Sequence, residues 1–220
     1  MKRIIPVLLF ISLALTGCFA AKPPPPISAV ITADSFAMLD KEELKASNSL
    51  EFPFTWQKGD TFTFDNPKEK WIVHKIHKDR LEMVNDQGML QVILSNPFVP
   101  AVAWQGAESK GRRKLSGFRG SLYHLAVGKQ MEFDVDGQSD RPSVTWSAHW
   151  FCEVTEKKQA RILGGDKVFE AFVVVCESNG QEVHFSYAPE IAHHISIRTT
   201  IDGKDTIRNL IQIQRAKAIP

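Results

Sequence analysis

Hydrophobic positions follow two regimes along the chain. After a Met1-Lys2-Arg3 start they run unbroken from residue 4 to residue 15, apart from Pro6 and Ser12; from Trp56 onward they come in short alternating bursts cut by turn residues. Alternation with a period of two places apolar side chains on one face of a strand. Phe62 and Phe64 alternate with threonine, and apolar segments follow at 71–76, 81–84, 89–94, 130–135, 144–154, 168–176, 183–187 and 195–201. Turn signals punctuate them every 8–12 residues or so, which is the rhythm of an all-β barrel or sandwich. Helical signals gather in one place: Leu39-Asp40-Lys41-Glu42-Glu43-Leu44 combines a capping box (Asp40 with Glu43) and a staple (Leu39 with Leu44), predicting a short helix over 41–47. The expected fold class is therefore mainly β, an antiparallel barrel or sandwich with one short N-terminal helix.

The turns suggest registers. A two-residue loop at Asn179-Gly180 sets Cys176 opposite Val183, Val174 opposite Phe185 and Phe172 opposite Tyr187, so apolar faces match at each step. A connection centred on Gly164 then sets Cys152 opposite Cys176, near enough for a disulfide; a turn at Glu156-Lys157-Lys158 is the rival and would shift that register. At Asp202-Gly203 a two-residue loop would oppose Ile197 with Arg208 and mix faces. A bulged three-residue connection, opposing Ile195 with Ile211 and Thr199 with Ile207, is preferred. Segment 168–176 is apolar on both faces and reads as a central strand covered on both sides. Gly59-x-x-Phe62-x-Phe64 echoes Gly128-x-x-Met131-x-Phe133, each ahead of a tryptophan strand (Trp71, Trp150), suggesting two related β units at 55–104 and 121–220.

The first regime changes the arithmetic. A basic start, an apolar stretch of about a dozen residues and a small-residue cut site form a secretory signal, too short to span a bilayer comfortably. Its ending, Leu15-Thr16-Gly17-Cys18, resembles the lipobox of bacterial lipoproteins. That resemblance implies removal of residues 1–17 and acyl chains, palmitate among them, on Cys18. It further implies, from Phe19 at the next position, sorting to the outer membrane on its periplasmic side. Residues 18–54 then read as a tether, stiffened by Pro23 to Pro26, that carries the short helix, and 55–220 as the β domain. Losing Lys2 and Arg3 from the 27 basic residues leaves them balanced against the 25 acidic ones, which removes support for nucleic-acid binding. With Cys18 lipidated, Cys152 and Cys176 remain as a pair in an oxidising compartment.

Candidate chemistry is sparse. His74 and His77 oppose faces on a strand, and the adjacent His193 and His194 diverge for the same reason. His184 falls in one row with Val175 and Glu153, two strand spacings (about 9–10 Å) from that carboxylate. No metal site or cofactor is expected. No nucleophile motif is present, and Gly106-Ala107-Glu108-Ser109-Lys110-Gly111-Arg112 lacks the Gly-Lys-Ser/Thr ending of a phosphate loop. The most informative remaining stretch is a loop over 104–120, where Lys110, Arg112, Arg113, Lys114 and Arg119 cluster between Trp104 and Phe118. It is a candidate contact for an acidic protein partner, phospholipid headgroups or an anionic envelope polymer.

Val168-Phe169-Glu170-Ala171-Phe172-Val173-Val174-Val175-Cys176, followed by Tyr187-Ala188-Pro189-Glu190-Ile191, resembles segments of uncharacterised exported β domains of Gram-negative bacteria. That resemblance implies an envelope address and a β fold, and no activity. The expectation is a non-catalytic, membrane-anchored envelope module with a protein partner. A half-open barrel carrying lipid or another hydrophobic ligand is the alternative, and a cell-wall-active enzyme the second. An unfilled apolar interior would favour the carrier.

Overall fold

A computed structural model describes residues 55–77 and 80–216. Cys18, the proline tether and the helix expected at 41–47 lie outside the described residues. The described chain is almost wholly β, and of the two expected architectures it is the barrel. Twelve strands follow one another: β1 (Thr61–Phe64), β2 (Glu69–Ile76), β3 (Arg80–Asn85), β4 (Leu90–Leu94), β5 (Ala103–Gln105), β6 (Lys110–Gly120), β7 (Gln130–Asp140), β8 (Ser143–Arg161), β9 (Val168–Ser178), β10 (Gln181–Ala188), β11 (His193–Ile201) and β12 (Lys204–Gln214). Each pairs antiparallel with its neighbours in chain order, and β12 returns to β1 to close the sheet. Closure leaves no free sheet edge. The stretches 55–104 and 121–220 both contribute strands to this one sheet.

Local turn chemistry sets most of the pairing. Asn179 and Gly180 both have positive φ (41° and 80°), the geometry of a two-residue hairpin turn, and Cys176 faces Val183, Val174 faces Phe185 and Phe172 faces Tyr187 as the sequence predicts. Between β3 and β4 the Asn85 Oδ1 accepts from the Gln87 and Met89 amides, 3.0 and 2.7 Å away, and so pins that turn. Cys152 faces Cys176, and the two are joined by a disulfide with Cα atoms 4.0 Å apart. The Glu156-Lys157-Lys158 turn is not formed, because β8 runs straight through it; a bulge between Val154 and Glu156 absorbs the extra residue. Both faces of β9 are covered, with Phe169, Ala171 and Val173 buried on one side and Phe172, Val174 and Cys176 on the other.

The bulged connection expected at Asp202-Gly203 is overturned. Both residues have positive φ (50° and 74°) and form a two-residue turn, so Ile197 does face Arg208 and Thr199 faces Thr206. The mixed face is tolerated because Arg208 stacks its guanidinium 4.6 Å from the Phe64 ring centre and ion-pairs with Glu69 at 2.9 Å.

The closing seam is held by polar groups as well as by the ladder. The buried Asp60 carboxylate accepts from the amides of Ala216 (2.8 Å) and Gln57 (3.0 Å) and pairs with Arg215 at 2.7 Å. Burial raises its pKa, but these donors together outweigh it and hold the group below the ordinary carboxylate value. Asp65 bonds the amide and the side chain of Asn209 at 2.6 and 2.9 Å, which likewise keeps its pKa low.

Apolar packing is divided. One cluster gathers Phe98, Leu115, Met131, Phe133, Val154 and Val174 around the disulfide, under β6 to β10. A second gathers Phe62, Phe64, Trp71, Leu81, Met83 and Leu210 along β1 to β3 and β12. Phe169, Ala171, Ala188 and Ile195 form a third, smaller set.

Candidate functional site

Between the two larger clusters the interior is not filled. A cavity of about 590 Å³ lies there, lined by Phe64, Trp71 and Met83 of one cluster and by Leu94, Phe98 and Val135 of the other. That volume is within the roughly 300–1,000 Å³ typical of small-molecule sites. Its wall is strongly aromatic: Trp56, Trp71, Trp146 and Trp150 all line it, four of the five tryptophans in the chain. Trp146, Ala148, Trp150, Cys152 and Val154 occupy alternate positions on β8, so one pleated face carries both the cavity wall and the packed core. The exposed Asn179, in the turn between β9 and β10, marks where the cavity meets solvent.

Polar groups are interspersed in this wall, Gln91, Asn96, Ser178, Gln181 and two histidines among them. His193 packs against a pair of touching aromatic rings, Phe62 at 4.3 Å and Trp56 at 4.9 Å between centroids, and its Nδ1 donates to the His194 carbonyl at 2.9 Å. Burial pushes its pKa down to about 4 against that hydrogen bond, and the charges of Arg215 and Arg208 push the same way. His194 packs against Phe185 at 4.8 Å and Tyr187 at 5.5 Å, and burial drives it well below the ordinary histidine value. Both rings are therefore neutral near pH 7. The His194 Nε2 and the Ser178 Oγ, on residues that line the cavity, make no hydrogen bond among the described residues. No aspartate or glutamate lines the cavity.

Two arginines do. Arg208 has its charge met by Glu69. Arg113 is different: its Nη1 donates to the Ala101 carbonyl at 2.7 Å, and among the described residues no carboxylate pairs with it. Its guanidinium stacks on the Trp104 indole, 4.5 Å from the ring centre, and lies 5.8 Å from that of Trp146; the two indoles also contact each other, 6.1 Å between centroids, so the arginine sits to one side of the pair. Glycines make room for both rings. Trp104 lies across from Gly111 and Trp146 across from Gly137, and a Cβ at either glycine would come within 2.1 Å of the facing ring. Burial lowers the guanidinium pKa from its ordinary value, though arginine stays charged in proteins.

The stretch 104–120 is thus not a loop. It is the hairpin of β5 and β6, joined across residues 106–109. Strand alternation divides the basic cluster between faces. Lys110, Arg112, Lys114 and Arg119 are exposed, whereas Arg113 turns to the side of buried Leu115, and Phe118 stacks on Phe133 at 5.5 Å. Lys114 faces Asp136, Arg112 faces Gln138, and Arg119 is 3.7 Å from Glu132. Run together in sequence, these cations look like one patch; the pleat turns Arg113 inward and leaves Lys110, Arg112 and Lys114 as an outward row.

Among known proteins, the chain is similar to the solved structure of the hypothetical lipoprotein YmcC from Escherichia coli. Identity is 6%, the match covers 80% of this chain and 97% of that one, and the TM-score is 0.48. No family model matches the sequence, and no curated protein does either.

Among the described residues no group of three or more histidine, cysteine, aspartate or glutamate side chains is placed to hold a metal ion. His184 does share a row with Val175 and Glu153, and its ring meets Glu182 and Arg198 instead. His77 meets Glu82 at 2.7 Å. Sequence reasoning did not find the cavity. The signal available was the Trp146-x-Ala148-x-Trp150 alternation, which marks an apolar face continuing past the core.

Proposed function

We propose that the barrel is a non-catalytic carrier of a hydrophobic chain, held at a bacterial outer membrane, on the periplasmic side, by lipid on Cys18. The observation that carries the first half is the aromatic-walled cavity of about 590 Å³ between two otherwise packed clusters. An interior left open at this size, in a barrel that elsewhere packs Phe62, Phe133 and Met131 to complete burial, favours a bound guest. The anchoring half rests on the Leu15-Thr16-Gly17-Cys18 sequence and the proline tether behind it. The test is native mass spectrometry of the folded protein with stearate. One acyl chain per protein is expected, and Ala148→Trp, which places an indole on the cavity wall, should abolish the adduct. An adduct undiminished in that variant, or none in the wild type, refutes the carrier reading. Cys18→Ser should release the protein from membranes; persistent membrane association refutes the anchor.

A second reading, an accessory that docks an envelope protein, is favoured by the outward row of Lys110, Arg112 and Lys114 on β6. Photo-cross-linking from positions 112 and 114 in cells tests it. One dominant protein adduct supports docking, and none returns the row to solvated surface.

A further inference from the structure

The cavity wall is chemically lopsided in a way that specifies its guest. Among the described residues it offers two arginines and no acid, and one of those arginines is already neutralised by Glu69. We propose that Arg113, stacked on Trp104 beside Trp146, binds the oxyanion end of an amphipathic acyl ligand whose chain occupies the cavity. This rests on the carrier reading and names the ligand class for it.

Four observations converge on that side chain. Arg113 has one protein hydrogen bond from its side chain among the described residues, to the Ala101 carbonyl, out of five N–H donors. It is the cavity-lining cation with no carboxylate partner there. It lies where the cavity approaches the surface, because Arg113 and Trp146 both line the cavity and are half-buried rather than buried. And its position is braced: it stacks on Trp104, which in turn contacts Trp146, and both indoles occupy space that exists only because residues 111 and 137 are glycines. A stiff, preoriented guanidinium with free donors suits the planar oxygens of a carboxylate or the oxygens of a phosphate. A partly desolvated charge also gains more from an oxyanion than a solvated one does. The neutral His193 and His194 offer no competing cation, so the headgroup end is set by Arg113 and the apolar end by the aromatic wall.

Tryptophan fluorescence reads both ends at once, because bromine quenches indoles it touches and four tryptophans line the cavity. The probes are 9,10-dibromostearate, the matching dibromostearyl alcohol, and a lysophosphatidate carrying the same chain, all below micelle-forming concentration. Wild-type protein should bind either anion roughly 10- to 100-fold more tightly than the alcohol, the worth of a hydrogen-bonded charge. In Arg113→Gln that preference should fall to within about twofold while the alcohol still binds, with near-ultraviolet circular dichroism confirming the fold. Whichever anion binds more tightly identifies the headgroup as carboxylate or phosphate. Equal binding of anion and alcohol by the wild type, a comparison that needs no variant, overturns the Arg113 assignment and leaves the carrier reading standing. So does a folded Arg113→Gln that keeps the preference. Absence of quenching by all three probes overturns the carrier reading itself.

Discussion

Acid should unfold this barrel early, and His193 is the reason. Its ring is buried against the touching rings of Trp56 and Phe62, and its pKa is pushed down to about 4 from an ordinary 6.5. The unfolded chain takes up a proton as pH drops below about 6.5, whereas the folded chain does not until about 4. Across that window the unfolded state binds more protons, so stability falls as pH falls; above 6.5 the contribution is complete. At about 1.4 kcal/mol per pH unit, the gap is worth about 3 kcal/mol for this one residue. The charges facing it agree on direction: Arg215 and Arg208 both resist a further positive charge, and only the hydrogen bond to the His194 carbonyl favours it. His194 is depressed too, from burial first, against the Pro97 carbonyl, and steepens the slope. Asp60 and Asp65 titrate below 3.8, so their stabilisation fades only beneath this window. Urea unfolding at pH 7.5, 6.0, 5.0 and 4.5 measures the slope directly. His193→Phe keeps the stack and removes the proton site, so it should flatten the slope by one proton between pH 6 and 4.5. A wild-type stability unchanged from pH 7.5 to 5, or an undiminished slope in the phenylalanine variant, would refute the reasoning.

Three further outcomes follow from the geometry. Replacing both Cys152 and Cys176 with alanine should cost about 3 kcal/mol, because the bridge closes a loop with a sequence separation of 24; unchanged unfolding, or two alkylatable thiols in the wild type, contradicts it. Asp60→Asn should destabilise by about 2–4 kcal/mol by leaving Arg215 and the Ala216 amide poorly met at the barrel seam; hydrogen exchange should then rise first in β1 and β12. Gly137→Ala should cost about 1–3 kcal/mol and shift tryptophan emission, since its methyl would collide with Trp146; an unaltered spectrum would mean the indole does not lie there.

What the sequence discloses about this fold depends on how far each cause reaches. Asn179-Gly180 acts locally, because both residues accept positive φ and the apolar faces that follow are in register, so three residue pairs of β9 with β10 could be set from a handful of letters. Asp202-Gly203 carries the same chemistry, yet face matching argued against its turn. What makes Arg208 acceptable opposite Ile197 is Phe64 and Glu69, each more than a hundred residues away in sequence. The β6 strand was hidden for a related reason. Lys110-Gly111-Arg112-Arg113-Lys114 shows no apolar alternation, because its inward positions hold a glycine under one indole and an arginine stacked beside a pair of them. The histidine pair, expected to diverge by alternation, instead lines one cavity with both rings, 5.8 Å between centroids, and its burial among Trp56, Phe62, Phe98 and Tyr187 is a product of barrel closure. The cavity is illegible for the deepest reason. Periodicity reports which side chains point inward, and not whether those side chains fill the space they enclose.

The carrier account is tested most directly by where the chain of a bound ligand lies. Crystals of the folded protein grown with 9,10-dibromostearate should show anomalous bromine density inside the barrel, between the Trp146–Trp150 face of β8 and the Phe64–Trp71 wall. Bromine density confined to the outer surface, or a cavity closed by its own side chains at saturating ligand, would contradict it.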